Sequence, residues 1–201
     1  MMSSVNENSA KFDWVKGFTV DFDLKTGMST SDAVSSKRHV SNLKGMFADD
    51  KATDELITNG DPLVYEFYEM GAPEKEGDLA FGSSITYPGK VGNEFFMTKG
   101  HFHTILETAE TYYCISGKGY MLIESPEGDW SAQALSPGKM LYVPPRYAHR
   151  TINTGDMPLV TIFCFRGDAG HDYGTIETKG YRKLIVQNDG KEEIIDNPKW
   201  K

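Results

Sequence analysis

From Pro62 onward the chain is a succession of short runs rich in Val, Ile, Tyr and Phe, broken by glycine and proline at short intervals. β-Branched and aromatic residues suit a pleated, half-buried surface, and Gly and Pro punctuate it. Leu63–Met70, Leu79–Tyr87, Glu94–Phe102, Glu110–Ser116, Gly119–Glu124, Lys139–Val143, His149–Asn153 and Leu159–Phe165 all read as strands. Gly117-Lys118-Gly119 and Pro126-Glu127-Gly128-Asp129 read as hairpin turns. Many short strands with frequent turns build an antiparallel sandwich or a small barrel, so the expected fold class is mainly β. Upstream, the alternation of Phe18–Leu24 before Lys25-Thr26-Gly27 predicts one more short strand. The spacing of Leu43, Met46, Phe47, Ala52, Leu56 and Ile57 predicts one or two short helices between Ser41 and Ile57. Residues 1 to about 13 are polar and are expected to form a frayed arm.

A chain of 201 residues fits a single domain with a substantial core. Its net charge of −8 argues against a nucleic-acid or anionic-membrane surface, because such partners need a concentrated positive field. If a ligand carries phosphate, its positive partners must be local. Cys114 and Cys164 both sit in apolar strand-like runs and are expected to be buried thiols rather than a disulfide. Met1–Lys11 lacks the apolar stretch of a signal peptide or membrane span, which points to the cytoplasm.

The candidate chemistry lies in the histidines. Of the five in the chain (His39, His101, His103, His149 and His171), His101 and His103 stand at i and i+2 within a strand-like run. Side chains at that spacing project to one face of a strand, where two imidazoles can share a metal. Six residues separate His103 from Glu110 and six more separate Glu110 from Gly117. Downstream come Gly138, Pro144, His149 and Asn153. This pattern resembles the two motifs of the cupin superfamily. The resemblance implies a jelly-roll barrel with short N-terminal helices, spanning the whole chain, and a metal held by His101, His103, Glu110 and His149. Glu107 competes with Glu110 for the carboxylate position; Glu110 is preferred because it opens a strand and shares a face with Tyr112 and Cys114, which leaves Glu107 to a solvated loop. Cupins usually carry glycine where this chain has Arg146, so that residue either accepts an unusual turn or serves a ligand.

Several longer blocks narrow the resemblance. Glu76–Leu79, Tyr87–Gly92, Phe95–His103, Val143-Pro144-Pro145 with Ala148–Thr151, and Asp168–Gly174 are similar to segments of the cupin-type glucose-6-phosphate isomerases. Membership would imply interconversion of glucose 6-phosphate and fructose 6-phosphate, in glycolysis and gluconeogenesis, by a homodimer. Three imidazoles and a carboxylate suit one divalent ion per subunit, Fe(II), Mn(II), Ni(II) or Zn(II), with iron favoured by the resemblance. An iron dioxygenase on the same ligands and a non-catalytic sugar-phosphate-binding cupin are the competing readings, since a fold hosts many functions.

By position in the family pattern, Ser84, Thr98, Gly100 and Tyr112 should face the sugar phosphate, with Arg146 as an added guanidinium donor. Lys99 is less suited, because alternation points it away from Thr98 and Gly100. Glu110 is the candidate base for a proton at C2, and a metal-promoted hydride shift is the other route. His171 and Tyr173, in a glycine-flanked segment, are expected to close over the sugar, His171 as a proton shuttle or hydroxyl contact. Phe165 stands where the family commonly has tyrosine. His39 is expected at the surface, and Trp14, Trp130 and Tyr142 in packing roles.

Overall fold

The computed structural model describes residues 12–28 and 34–200. The strands are β1 (Val34–His39), β2 (Leu63–Glu69), β3 (Leu79–Thr86), β4 (Lys90–Val91), β5 (Glu94–Phe95), β6 (Glu110–Ser116), β7 (Gly119–Glu124), β8 (Trp130–Leu135), β9 (Met140–Val143), β10 (Ala148–Asn153), β11 (Leu159–Arg166), β12 (Lys183–Asn188) and β13 (Lys191–Asp196). One 3-10 turn covers Val40–Leu43, and the helices are α1 (Asp50–Thr58) and α2 (Gly174–Lys179). Strand order is β1-β2-β3-β11-β6-β9 in one sheet, β10-β7-β8 in a second and β13-β12-β5-β4 in a third. The chain crosses between the first two sheets at β6 to β7, β8 to β9, β9 to β10 and β10 to β11, which is the jelly-roll alternation of a cupin barrel. No helix among the described residues is long and apolar enough to cross a membrane.

The barrel interior is set by register. Across the large sheet Glu69, Gly82, Phe163, Tyr112 and Leu141 stand opposite one another in turn. Period-two alternation then aims Tyr65, Phe67 and Glu69 of β2, Ser84 of β3, Phe163 and Phe165 of β11, and Glu110 and Tyr112 of β6 at one interior cavity. A Cβ on Gly82 would lie 2.7 Å from the Phe163 ring, so only glycine lets that ring cross β3.

Helix α1 begins where Asp49 caps it, its carboxylate accepting the Ala52 N–H at 2.9 Å. Its Ala52, Leu56 and Ile57 lean on a core that includes Val40, Leu43 and Phe47. Two sequence expectations change. Phe18–Leu24 forms no regular strand; it keeps one bridge residue, Phe22, because the Phe18 ring packs with Trp14 and Phe81 instead of joining a ladder. The run Glu94–Phe102 is a strand only over Glu94–Phe95. Beyond that it continues as a strap beside β10, with single bridges from Met97 to Ile152 and from His101 to His149. Between those two bridges Gly100 has a φ of +75°, in the left-handed region, so the strap is not a continuous ladder there.

Residues 1–11 of the expected frayed arm lie outside the described residues, while Phe12 stacks on Phe18 at 4.8 Å. Cys114 is fully buried and Cys164 only partly, and both are free thiols. Tyr142 departs from its expected packing role, because it lies on the edge strand β9 and is 59% exposed. Trp130 is also partly exposed, with the Lys183 ammonium 4.9 Å from its ring.

Candidate active site

The strap and β10 bring the histidines together. His149 N–H donates to the His101 carbonyl at 3.2 Å, which sets the two imidazoles side by side with ring centroids 4.5 Å apart. His103 follows on the same face, and Glu110 reaches in from the start of β6. One donor atom from each of His101, His103, Glu110 and His149 lies within 4.8 Å of all the others. Glu110 Oε2 is 3.1 Å from His103 Nε2 and 2.8 Å from His149 Nε2. The opposite ring nitrogens face backbone carbonyls, His103 Nδ1 at 3.1 Å from Thr108 O and His149 Nδ1 at 3.3 Å from Tyr147 O. A proton on each Nδ1 would free Nε2 to offer a lone pair to a cation in place of its contact with Glu110, the arrangement that orients metal-binding imidazoles.

The electrostatics favour a cation at that centre. Burial raises the pKa of Glu110, but the neighbouring His149 and the hydrogen bonds from His103 and His149 outweigh it and hold the carboxyl well below its ordinary range. Burial, reinforced by His149 and His171, keeps His101 neutral by pushing its pKa well below the usual value. The Nε2 atom of His101 is buried and makes no hydrogen bond. Buried polar atoms are rarely left so, and a neutral imidazole beside an ionised carboxylate fits a divalent ion. Glu107, by contrast, is 72% exposed.

A cavity of about 140 Å³ opens beside the cluster. Ser84, Thr98, Gly100, Tyr112, His171 and Tyr173 all line it together with His101, Glu110 and His149. Away from the cluster, Thr98 Oγ1 accepts from Thr151 N–H at 3.0 Å and lies 3.4 Å from Thr151 Oγ1, whose other neighbour is Thr86 Oγ1 at 2.9 Å. Thr98 thus accepts on both lone pairs and keeps its own O–H for a ligand acceptor. Burial holds the Tyr112 phenol far above its ordinary pKa, so it too is a neutral donor.

The His171–Tyr173 segment is a fixed wall rather than a loose loop. Phe102 and Asp172 exchange backbone hydrogen bonds of 3.1 and 2.8 Å, and Ile105 N–H donates to Ala169 O at 2.9 Å. His171 therefore stands 4.4 Å from the His101 ring and stacks on Tyr173. Burial lowers the His171 pKa to about 4 and pushes Tyr173 up to about 12. Lys99 points away, as alternation required, and its Nζ pairs with Glu177 of α2 at 2.6 Å.

The family model for glucose-6-phosphate isomerase (GPI) matches residues 37–201. A glucose-6-phosphate isomerase of Thermococcus litoralis is 50% identical over 184 residues, which cover 92% of this chain and 96% of that protein. The chain belongs to the glucose-6-phosphate isomerase family. The glucose-6-phosphate isomerase of Pyrococcus furiosus is 48% identical, with 92% and 97% of the two chains covered. Among solved structures, a deletion mutant of Bacillus subtilis oxalate decarboxylase is similar at 26% identity and a TM-score of 0.41, over 53% of this chain and 27% of that one.

Within this isomerase family member, Arg146 does not line the cavity. It keeps the backbone of the glycine it replaces, with φ at +73°, and its N–H donates to Leu106 O at 2.6 Å. Its guanidinium is held outside by Glu127 at 2.6 Å and Glu107 at 3.5 Å, so the expected role as a substrate donor gives way to a surface ion pair. Phe165 is buried and stacks on His103 with centroids 5.6 Å apart. Six cavity residues escaped sequence reasoning: Tyr65, Phe67, Glu69, Arg150, Thr151 and Phe163. Alternation along β2 was the available signal for Tyr65 and Glu69. The Glu69 side chain forms no hydrogen bond among the described residues, and burial raises its pKa, followed by repulsion from Glu74 and Glu110. His39 is partly buried, with Nδ1 2.7 Å from Asp61 O.

Proposed function

We propose that the protein interconverts glucose 6-phosphate and fructose 6-phosphate with one divalent ion, iron favoured, bound by His101, His103, Glu110 and His149. The observation that carries this reading is the shared cavity. A buried three-imidazole, one-carboxylate cluster and a row of hydroxyl and N–H donors line the same pocket. A bound ion would polarise O1 and O2 of the open-chain sugar as charge develops on them.

The phosphate sits among Ser84, Thr98, Gly100 and Tyr112, which places C1 and C2 toward the cluster. His171 and Tyr173 cover the sugar and exclude water, and His171, held neutral by burial, accepts a hydroxyl proton during ring opening. Glu110 takes the C2 proton in the enediolate route. A carboxyl held so firmly ionised is a weak proton acceptor, which favours the hydride-shift route as the second reading. Deuterium from solvent appears in the product in the first route and is absent in the second.

The deciding experiment is a coupled assay of fructose 6-phosphate conversion after chelation and restoration with single divalent ions. Turnover with at least one ion supports the isomerase. Binding of the sugar phosphate with no turnover under any ion would leave a binding protein, and oxygen consumption would mark a dioxygenase. We further propose a cytoplasmic homodimer. Tyr113, Met140 and Tyr142 leave an exposed apolar patch on the outer face of β6 and β9 that pairing would cover.

A further inference from the structure

We propose that Arg150 is the positioning residue of the phosphate end. It grips the Lys99 carbonyl so that the Gly100 N–H turns into the cavity, and it lays a buried positive charge behind that donor. The inference rests on the sugar-phosphate reading above and adds the charge which that reading lacks. Arg150 is the one lysine or arginine among the residues lining the cavity, and a phosphate dianion needs a cation close by.

Arg150 follows His149 on β10, so its side chain leaves the opposite face of the strand and runs beneath the strap. It is 2% exposed. Its Nη2 donates to Lys99 O at 3.0 Å, and its guanidinium lies 3.8 Å from the centre of the Tyr181 ring. Nε has no hydrogen-bond partner, and no carboxylate comes within ion-pair distance of the group among the described residues. The two nearby buried acids lie beyond ion-pair distance and hydrogen-bond other groups. Glu94 accepts the Ala48 N–H, and Glu124 accepts from Arg182 N and Nη1. A guanidinium buried without an anion is costly, and the cost falls when an anion arrives on the other side of the strap.

The strap transmits this charge through one peptide. No peptide bond among the described residues is cis, and the C=O and N–H of a trans peptide point in opposite directions. With the Lys99 carbonyl drawn back to Arg150, the Gly100 N–H points forward, to the side where Thr98 meets Thr151. That N–H makes no hydrogen bond among the described residues. A Cβ at Gly100 would meet Tyr181 Oη at 2.4 Å and Arg150 Cβ at 3.0 Å, so glycine is what allows the strap to lie against Arg150. Hydrogen bonds to charged groups polarise along such a chain, which strengthens the Gly100 donor for an anion.

The test compares the metal-loaded wild-type protein with R150Q, which keeps a donor for Lys99 O without the charge, and with R150M, which keeps neither. The expected result for both is a rise of about tenfold in the fructose 6-phosphate KM with kcat changed less than about threefold, the size expected for one charged hydrogen bond. Competitive inhibition by inorganic phosphate should weaken by the same factor. Inhibition by an unphosphorylated five-carbon aldonate, which reaches only the metal end, should stay unchanged, as should metal content. R150K retains the charge and should recover part of the phosphate affinity. Should R150M not fold, R150Q against R150K decides the matter. Wild-type phosphate inhibition in folded R150Q, equal behaviour of R150Q and R150K, or equal weakening toward phosphate and aldonate would each overturn the role. Failure of inorganic phosphate to compete in the wild-type protein would instead overturn the sugar-phosphate reading itself.

Discussion

Arg146 and Glu94 illustrate how a single residue can carry a charge that its sequence context misstates. Arg146 invited a role at the substrate because a motif glycine was missing. The structure gives it the glycine's backbone and turns its side chain outward to Glu107 and Glu127. We therefore expect Arg146→Ala to leave the KM and kcat for fructose 6-phosphate within about twofold of wild type, since exposed ion pairs contribute little. Glu94 drew no attention in the sequence, yet it is 3% exposed and one of its oxygens has no partner. Burial raises its pKa to about 7, against the opposing pull of the Ala48 N–H, Arg150 and Lys199. A carboxyl raised in the folded state holds its proton where the unfolded chain has lost it. Its stabilising contribution is complete below the unfolded value and is lost as pH rises through about 7. Wild type should lose up to about 3 kcal/mol from this group between pH 5 and pH 8, and Glu94→Gln should flatten that dependence in urea titrations across the range. An unchanged slope in the variant would remove Glu94 as the cause.

At the scale of elements, periodicity worked where strands are long and half-buried. β6 and β7 have the limits their alternation indicates, Glu110–Ser116 and Gly119–Glu124. It failed where neighbours, not pattern, hold the backbone. β13 reads Lys-Glu-Glu-Ile-Ile-Asp and forms because β12 offers it an edge, and β8 is a mostly exposed edge strand of weak alternation. The strap after β5 has strand composition, but regular pairing ends at Phe95 and the left-handed Gly100 lies further along it. This turn is the element's most demanding point. Gly100→Ala should destabilise the protein by about 2 kcal/mol or more, through a strained φ and the crowding of Tyr181 Oη and His149 O, and should raise the KM as well. Thermal denaturation and steady-state kinetics on the same preparation check both.

For the molecule as a whole, the His/Glu cluster draws on the strap, β6 and β10, with β6 and β10 belonging to different sheets. An ion bound only by the folded state adds stability by mass action. Chelation should therefore lower the melting temperature, with recovery on adding a divalent ion. His149→Ala should abolish metal retention and that recovery, while Glu107→Ala, a change at an exposed carboxylate, should alter neither. Metal analysis of the purified variants and paired melting curves read this out, and equal loss from both variants would move the carboxylate ligand away from Glu110. The sequence by itself determined the mainly β class and pointed to the three histidines and the carboxylate that the fold gathers, and to several of the side chains that line the cavity beside them, because alternation and motif spacing are local properties of the chain. Only the tertiary structure decided that Arg146 stays outside, that Glu69 faces the cavity, and that Arg150 lies buried without a carboxylate behind the Lys99–Gly100 peptide. Those outcomes depend on which groups from distant segments arrive beside each charge, and no local pattern records that.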